Sequence, residues 1–257
     1  MFLSNNLISN ISSSFFLAKL DIKIKYRRTY LGPWWNSLTI LFISFIISIV
    51  WGLVLKNEFN EFFFELFVNL TIWFYIIGFL TESTEVFSKK FSRILINSNL
   101  PIENHVLRSC FYNFILYIHN FPLIILIYFL NIDFSYIHFL FLIIGMFLIL
   151  INSFFIILVI GVICARFRDI AALIKMITAP LMLLTPVIWK KEQLGQYELY
   201  AYLNPFTSYV EIISFPLLGK EIAYLPYAIN FLILLILSLT TLVIYKKYKQ
   251  KLALWSN

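Results

Sequence analysis

Charge is what this sequence has least of. Only 13% of its 257 residues are Asp, Glu, Lys or Arg, where a soluble domain carries about 25%. Apolar residues make up 61% and aromatics 19%, so there is too little polar surface to clothe a water-soluble body, and the composition is that of an integral membrane protein. Other absences narrow the function. No G-x-x-x-x-G-K-[ST] occurs, so the chain holds no P-loop for ATP. The histidines His105, His119 and His138 form no H-E-x-x-H pair, and no G-x-S-x-G elbow is present. Cys110 and Cys164 are the only cysteines, far apart in sequence, with neither metal-ligand spacing nor a disulfide framework. Within the long apolar runs acids are scarce: Glu65, Glu82 and Asp133 all sit near run ends. A proton-driven pump or ion channel usually carries a carboxylate in mid-span. A membrane-bound glycosyl- or acyltransferase would need an intramembrane His or acidic cluster, and none is visible. The N-terminus, with Ser and Asn among its first residues, has no basic n-region and no A-x-A site, so no cleavable signal is expected. There is no internal repeat and no low-complexity tract.

What remains is apolar length. Uncharged intervals run over 29–55, 66–81, 109–132, 134–165, 176–189 and 222–245. Four exceed the roughly 20 residues that a helix needs to cross the hydrocarbon core. The other two reach that length by extending through Glu65 and Lys175. The expectation is six transmembrane helices, at about 35–55, 62–81, 109–130, 136–164, 170–188 and 226–245. The net charge of +7 falls on alternate connections. Lys19, Lys23, Lys25, Arg27 and Arg28 precede the first span, and Lys89, Lys90, Arg93 and Arg108 lie between spans two and three. Arg166 and Arg168 follow span four, and Lys246, Lys247, Lys249 and Lys251 follow span six. The remaining connections hold only Lys56, Lys190, Lys191 and Lys220. This positive-inside pattern places both termini and the 82–108 and 165–169 loops in the cytoplasm, and makes the basic balance a matter of topology rather than of nucleic-acid binding.

Local features refine this frame. Leu7, Ile11, Phe15, Ala18 and Ile22 recur at helical spacing over 7–26, as in an amphipathic helix lying on the membrane. Then comes KYRRTYLGPWWNSL, residues 25–38, where cations meet a Gly-Pro break and paired tryptophans. Gly32 and Pro33 turn the chain into the membrane, and Trp34 and Trp35 seat the span at headgroup depth. Ser37, Ser44 and Ser48 share one face of span one, either for close helix approach or facing a polar conduit. The 82–108 loop is polar, with Val86, Phe87, Ile94, Leu95 and Leu100 as an apolar side, and suits docking to a soluble partner. Pro180 and Pro186 interrupt span five. The external 190–225 connection contains a short apolar-rich stretch that suits re-entrant or interfacial helices.

Four motifs, YRRTYLGPWWNSL, RFRDI after span four, TPVIW closing span five, and LNPFTSYVEIISFPLLG, together resemble the ABC-2-type permease subunit of polysaccharide-exporting ABC transporters, those for O-antigen, capsule or teichoic acid. The resemblance runs in order along nearly the whole chain. It implies an all-α integral membrane protein of the bacterial inner membrane. Residues 1–34 form a cytoplasmic interface segment, 35–245 a six-helix core and 246–257 a cytoplasmic tail, with a cytoplasmic coupling helix and short re-entrant or external gate helices between helices five and six. It implies a homodimer working with two copies of a separate cytoplasmic ATPase, which carries the ATP and Mg; no cofactor is expected on this chain. The coupling loop would include Asn97, Asn99, Leu100, Pro101 and Glu103. The external gate would include Asn204, Pro205, Tyr209, Glu211 and Pro216. A conduit between the two subunits would pass a lipid-linked glycan. Trp34, Trp35, Phe42 and Phe45 offer it flat apolar faces, and Ser37, Ser44 and Ser48 are further lining candidates. Arg27 and Arg28 either anchor to anionic membrane lipid or meet the pyrophosphate of the substrate. The alternative within the fold is an exporter of a smaller amphiphile, a lipid or drug.

Overall fold

The computed structural model describes residues 7–55, 59–87, 101–128, 135–248 and 252–255, and every regular element among them is helical. In chain order these are α1 (Leu7–Lys25), α2 (Trp34–Leu55), α3 (Phe59–Glu85), α4 (Ile102–Ile118), α5 (Phe121–Tyr128), α6 (Tyr136–Arg166) and α7 (Arg168–Leu184). A 3-10 segment (Lys191–Leu203), α8 (Pro205–Leu217), α9 (Tyr224–Tyr248) and α10 (Leu252–Trp255) complete the chain. Among the described residues, five stretches are long and apolar enough to cross a membrane: Trp34–Val54, Phe59–Glu85, Ile102–Leu126, Tyr136–Arg166 and Tyr224–Tyr245. The chain is a multi-pass membrane protein.

The expected fifth span, 170–188, is not among those stretches. α7 has 17 residues, about 26 Å at 1.5 Å per residue, and carries Arg168, Asp169 and Lys175. It stops at Thr185, whose backbone is extended (φ −98°, ψ 137°). Thr185 precedes Pro186, and the ring of a proline pushes the residue before it out of the helical region.

α3 is the spine. It is apolar on nearly every face, and a helix of that kind belongs inside a bundle. Leu66, Phe67, Val68, Leu70, Ile72, Trp73, Ile76 and Phe79 are all buried, with α2, α4, α6, α7 and α8 packed around them. α6 and α9 pair along the far side and enclose α8. α6 begins at Ser135, whose Oγ accepts the Ile137 N–H (3.3 Å).

The third span differs from its expected bounds of 109–130. α4 starts seven residues earlier, directly after Pro101, because Arg108 does not end the helix: its guanidinium forks onto both carboxylate oxygens of Asp21 in α1. The helix then breaks at His119–Asn120, just ahead of Pro122, which sits in the first turn of α5 where its missing N–H is tolerated. The expected 82–108 loop shortens accordingly. Residues up to Glu85 belong to α3, and Val86 and Phe87 are buried against Gly161 of α6 rather than offered to a soluble partner. Ile94 and Leu95 lie outside the described residues, as do Asn97, Asn99 and Leu100.

The amphipathic stretch at 7–26 is helical as α1. The face that it buries is Ser14, Ala18 and Ile22, against α4, while Ile11 and Phe15 stay exposed. Polar groups lock this pair: Ser14 Oγ donates to the Asn104 carbonyl (3.2 Å) and Lys25 to the Tyr112 hydroxyl (2.8 Å).

α6 and α8 touch through backbone. A Cβ on Gly145 would lie 2.5 Å from the carbonyl oxygen of Ile212, and that oxygen already accepts the Tyr227 hydroxyl (2.9 Å). Gly145→Ala should therefore lower stability by about 1–3 kcal/mol, the usual cost of overpacking. Gly52→Ala, whose new Cβ would meet only Phe62 Cδ1 at 3.8 Å, should be near neutral. Thermal unfolding in detergent checks both. Equal midpoints would mean that α6 and α8 do not approach this closely.

Candidate functional site

The motif residues fall in three places. The first is the corner between α1 and α2. α1 unwinds after Lys25 through bonds from Tyr26 N–H to the Ile22 carbonyl (3.0 Å) and from Thr29 N–H to the Tyr26 carbonyl (3.1 Å). Arg28 and Gly32 have positive φ (70° and 55°), and α2 starts at Trp34. The left-handed conformation costs a residue other than glycine roughly 1–2 kcal/mol, so the turn at Arg28 is held by its surroundings. Arg27 and Arg28 are exposed.

Along α2 the candidates divide by direction. Ser37, Ser44 and Ser48 are buried, with Ile40 among them. Ser37 Oγ donates to the His119 carbonyl (3.2 Å), satisfying an acceptor freed by the break between α4 and α5. Trp34, Trp35 and Phe42 point outward; Phe42 is 63% exposed. Phe45 is partly engaged inside the subunit, edge-on to Phe59 (5.8 Å between centroids) and Phe63 (6.2 Å). The serines thus lie on the opposite side of the helix from Trp35 and Phe42 and share no wall with them, while Trp34 sits between the two faces. His119, a mid-span histidine, donates through Nδ1 to the Ile115 carbonyl (2.7 Å) and meets Trp34 edge-on at 6.2 Å.

The second place is the start of α4. Pro101 precedes its first turn, and Glu103 accepts a hydrogen bond from the Tyr245 hydroxyl of α9. Asp21, Arg108, Glu103 and Tyr245 thereby join α1, α4 and α9 at one end of the bundle.

The third is the cap formed by the 3-10 segment and α8. Asn204 is the N-cap of α8: its Oδ1 accepts the Phe206 N–H (3.0 Å), Pro205 follows at the first helical position, and its Nδ2 donates to Thr185 Oγ (2.8 Å). One side chain therefore starts α8 and fastens it to the end of α7. Tyr209 is buried beside Phe206, and Pro216 lies in the last turn. Glu211 is only 4% exposed and is held by Lys191, whose Nζ lies 3.1 Å from Oε1. A relay closes the ring: Lys191 donates to Tyr202 Oη (2.7 Å), and Tyr202 donates to Glu211 Oε2 (2.6 Å). Burial pushes the Glu211 carboxyl above its ordinary range, and Tyr202 and Lys191 pull it back only in part. Burial works against the Lys191 ammonium, but Tyr202 and Glu211 outweigh it and raise its pKa. Burial, reinforced by the bond to Glu211, lifts the Tyr202 phenol to about 12. At neutral pH the phenol is thus a donor and Lys191 a cation. Nearby, Glu65 of α3 takes Lys220 (2.5 Å) and Lys190 (3.2 Å). Lys191 and Tyr202 escaped the sequence reading, although two adjacent lysines on the same connection as Glu211 were a usable signal.

Among the described residues no cluster of His, Cys, Asp or Glu could hold a metal ion, and both cysteines are buried and free. Cys110 shares a hydrogen bond with Ser153 Oγ (3.2 Å), which also bonds Tyr75 (3.0 Å).

Removing one partner of a buried ion pair typically costs about 3–5 kcal/mol, because the other charge is left uncompensated. Glu211→Leu should cost less than that in thermal unfolding, since Lys191 keeps Glu198 at 3.4 Å, and Lys191→Met with Glu211→Leu should recover most of the loss. A double variant no more stable than Glu211→Leu alone would show that the pair is not the interaction that matters.

Comparison with known proteins bears on the chain as a whole. A family model described as ABC-2 type transporter matches residues 13–218, from within α1 to the turn after α8. A search of curated proteins finds no match.

Proposed function

The chain belongs to the ABC-2 type transporter family, and from that premise we propose that its cargo is a lipid-linked cell-surface polysaccharide carried across the bacterial inner membrane. Permeases of this family are transport subunits and normally work with an ATPase subunit. The proposed assembly is a homodimer with two ATPase copies, both termini in the cytoplasm and α7 completing a six-span layout. The observation that carries the cargo reading is the outward aromatic face of α2: Trp35 and Phe42 are exposed, and Trp34 is exposed beyond its edge contact with His119. In a dimer such a face offers a sliding sugar polymer many weak, flat contacts. The inward serines Ser37, Ser44 and Ser48 would set the spacing of α2 from its neighbours rather than the conduit surface.

Drive would arrive where α1, α4 and α9 are joined. Closure of the ATPase on ATP would push the coupling loop, Asn97, Asn99, Leu100 and Pro101, against Glu103 and the start of α4. The 3-10 segment and α8, with Asn204, Pro205, Tyr209, Glu211 and Pro216, would form the external gate. Arg27 and Arg28, exposed at the corner, would meet the lipid pyrophosphate or anionic lipid. One feature favours a smaller amphiphile instead: an apolar cavity of about 600 Å³ bounded by Ile118, Ile124, Phe139, Leu142 and Leu217.

A deletion strain separates the two. Loss of the chain should abolish the surface glycan and leave the lipid-linked form inside. Asn99→Ala with Glu103→Ala should cut export at least tenfold while the ATPase still co-purifies. Normal surface glycan in the deletion strain would sink the polysaccharide reading, and normal export by the double variant would sink the coupling assignment.

A further inference from the structure

α3 and α4 enclose a second cavity, of about 260 Å³, of opposite character to the apolar one. Along α3 its wall runs from Thr71 to Glu82, about 16 Å at 1.5 Å per residue. Lys25, Glu82 and Tyr112 stand at one end, where the end of α1 and the middle of α4 meet the last turns of α3. Asn36, Thr71 and Asn120 line the other end. Polar side chains are costly inside a membrane and, where several converge on one space, mark a site for a polar ligand or for water. Two of them lack a partner among the described residues. The Tyr117 hydroxyl and Asn120 Oδ1 are buried with no hydrogen bond there, on residues that are 3% and 1% exposed, and both residues line the cleft.

The kind of ligand follows from what these groups want. Asn120 Oδ1 is an acceptor and needs a donor; the Tyr117 hydroxyl can give or take. Three carboxamides, Asn36, Asn113 and Asn120, present both roles, as do the hydroxyls of Thr71 and Thr81. A phosphate offers acceptors only, and would face the Glu82 carboxylate and the amide oxygens. The one cation, Lys25, is engaged with Tyr112 (2.8 Å). A sugar ring carries hydroxyls that give and take, bears no charge, and stacks on flat rings such as Phe74 and Tyr75, which line the same cleft. Room for roughly nine waters, at about 30 Å³ each, is of the order of one such ring. The wall is also tuned to stay open. A Cβ on Gly78 would fall 2.4 Å from Asn113 Oδ1, so glycine lets that amide lie against α3 instead of across the cavity.

We propose that the cleft between α3 and α4 is a binding site, within each subunit and apart from the outward face of α2, for the uncharged sugar head of a membrane glycolipid. It deepens the polysaccharide reading and rests on it: a single sugar at the lipid end of the glycan would be held here while the polymer passes elsewhere.

The full chain in phosphatidylcholine nanodiscs, probed by saturation-transfer NMR, tests it. The probes are octyl β-glucoside and octyl phosphate, each below its micellar concentration. The glucoside ring protons should saturate with wild type, and the signal should fall at least fivefold in Tyr117→Phe and in Asn120→Leu. Gly78→Ala should weaken it as well, and Leu239→Ala, on the exposed face of α9, should leave it unchanged. Tyr117→Phe removes a single oxygen, so its loss of signal reports the site rather than the fold; monodisperse elution checks this. Equal saturation in wild type and both cleft variants overturns the proposal. So does octyl phosphate saturating in the same Tyr117- and Asn120-dependent way, which would make the ligand a phosphate. So does the absence of any ring signal, which would make the cleft a water cavity. The deletion strain keeps the two readings apart. Glycan lost on deletion with no cleft-dependent binding fails the site alone; glycan unchanged on deletion with cleft-dependent binding fails the polysaccharide reading alone.

Discussion

Hydrocarbon supplies no hydrogen bonds. Every polar group on a spanning helix must therefore find its partner within the protein or border a space that water or ligand can fill. That constraint arranges this bundle more than apolar attraction does, since lipid tails are as apolar as leucine. Asn69 of α3 donates to the Val187 carbonyl (3.2 Å), beside the proline that ends α7. Tyr75 meets Ser153 of α6, and Asn152 donates to the Asn230 carbonyl of α9 (3.3 Å). Ser37 satisfies a carbonyl at the break between α4 and α5. These few contacts fix which faces turn inward, and the apolar bulk packs around them.

The same logic separates the two ends of the molecule. At the α8 end, Lys191, Tyr202 and Glu211 form a buried ring, and Glu65 gathers Lys190 and Lys220. α8 is thereby tied to the 3-10 segment and, through Asn204, to α7. At the other end, Asp21 with Arg108 and Glu103 with Tyr245 gather α1, α4 and α9. Between these two sets of ties, single bonds such as those of Tyr75, Asn152 and Ser37 are set among apolar contacts.

Much of this was legible beforehand where one signal dominated. The uncharged intervals located α2, α6 and α9 to within a few residues, since nothing polar competed with apolar length. The Gly-Pro corner set the start of α2. Charge misled as a stop signal: Arg108 seemed to bound the third span, but a side chain that finds Asp21 on another helix costs the helix nothing. Pro122 falls inside the expected continuous span 109–130, because sequence alone does not tell a kink from a break. Val86 and Phe87 read as an apolar side of a loop, and only tertiary contact shows that α6 claims them. On α2, spacing put the serines on one face without saying which way it turns. The partners of Glu211 and the cleft lined by Tyr117 and Asn120 depend on residues from separate helices, which no local pattern joins.

The central position of α3 has a consequence for how the protein is made. It is the second spanning helix to leave the ribosome, yet its polar groups wait for partners synthesised much later. Asn69 bonds a residue 118 positions on, and Glu65 one 155 positions on. Until those arrive, α3 sits in lipid or at the insertion machinery with Asn69 and Glu65 unmet. Assembly of this subunit is thus a delayed closure, in which the last third of the chain completes a helix laid down near the beginning.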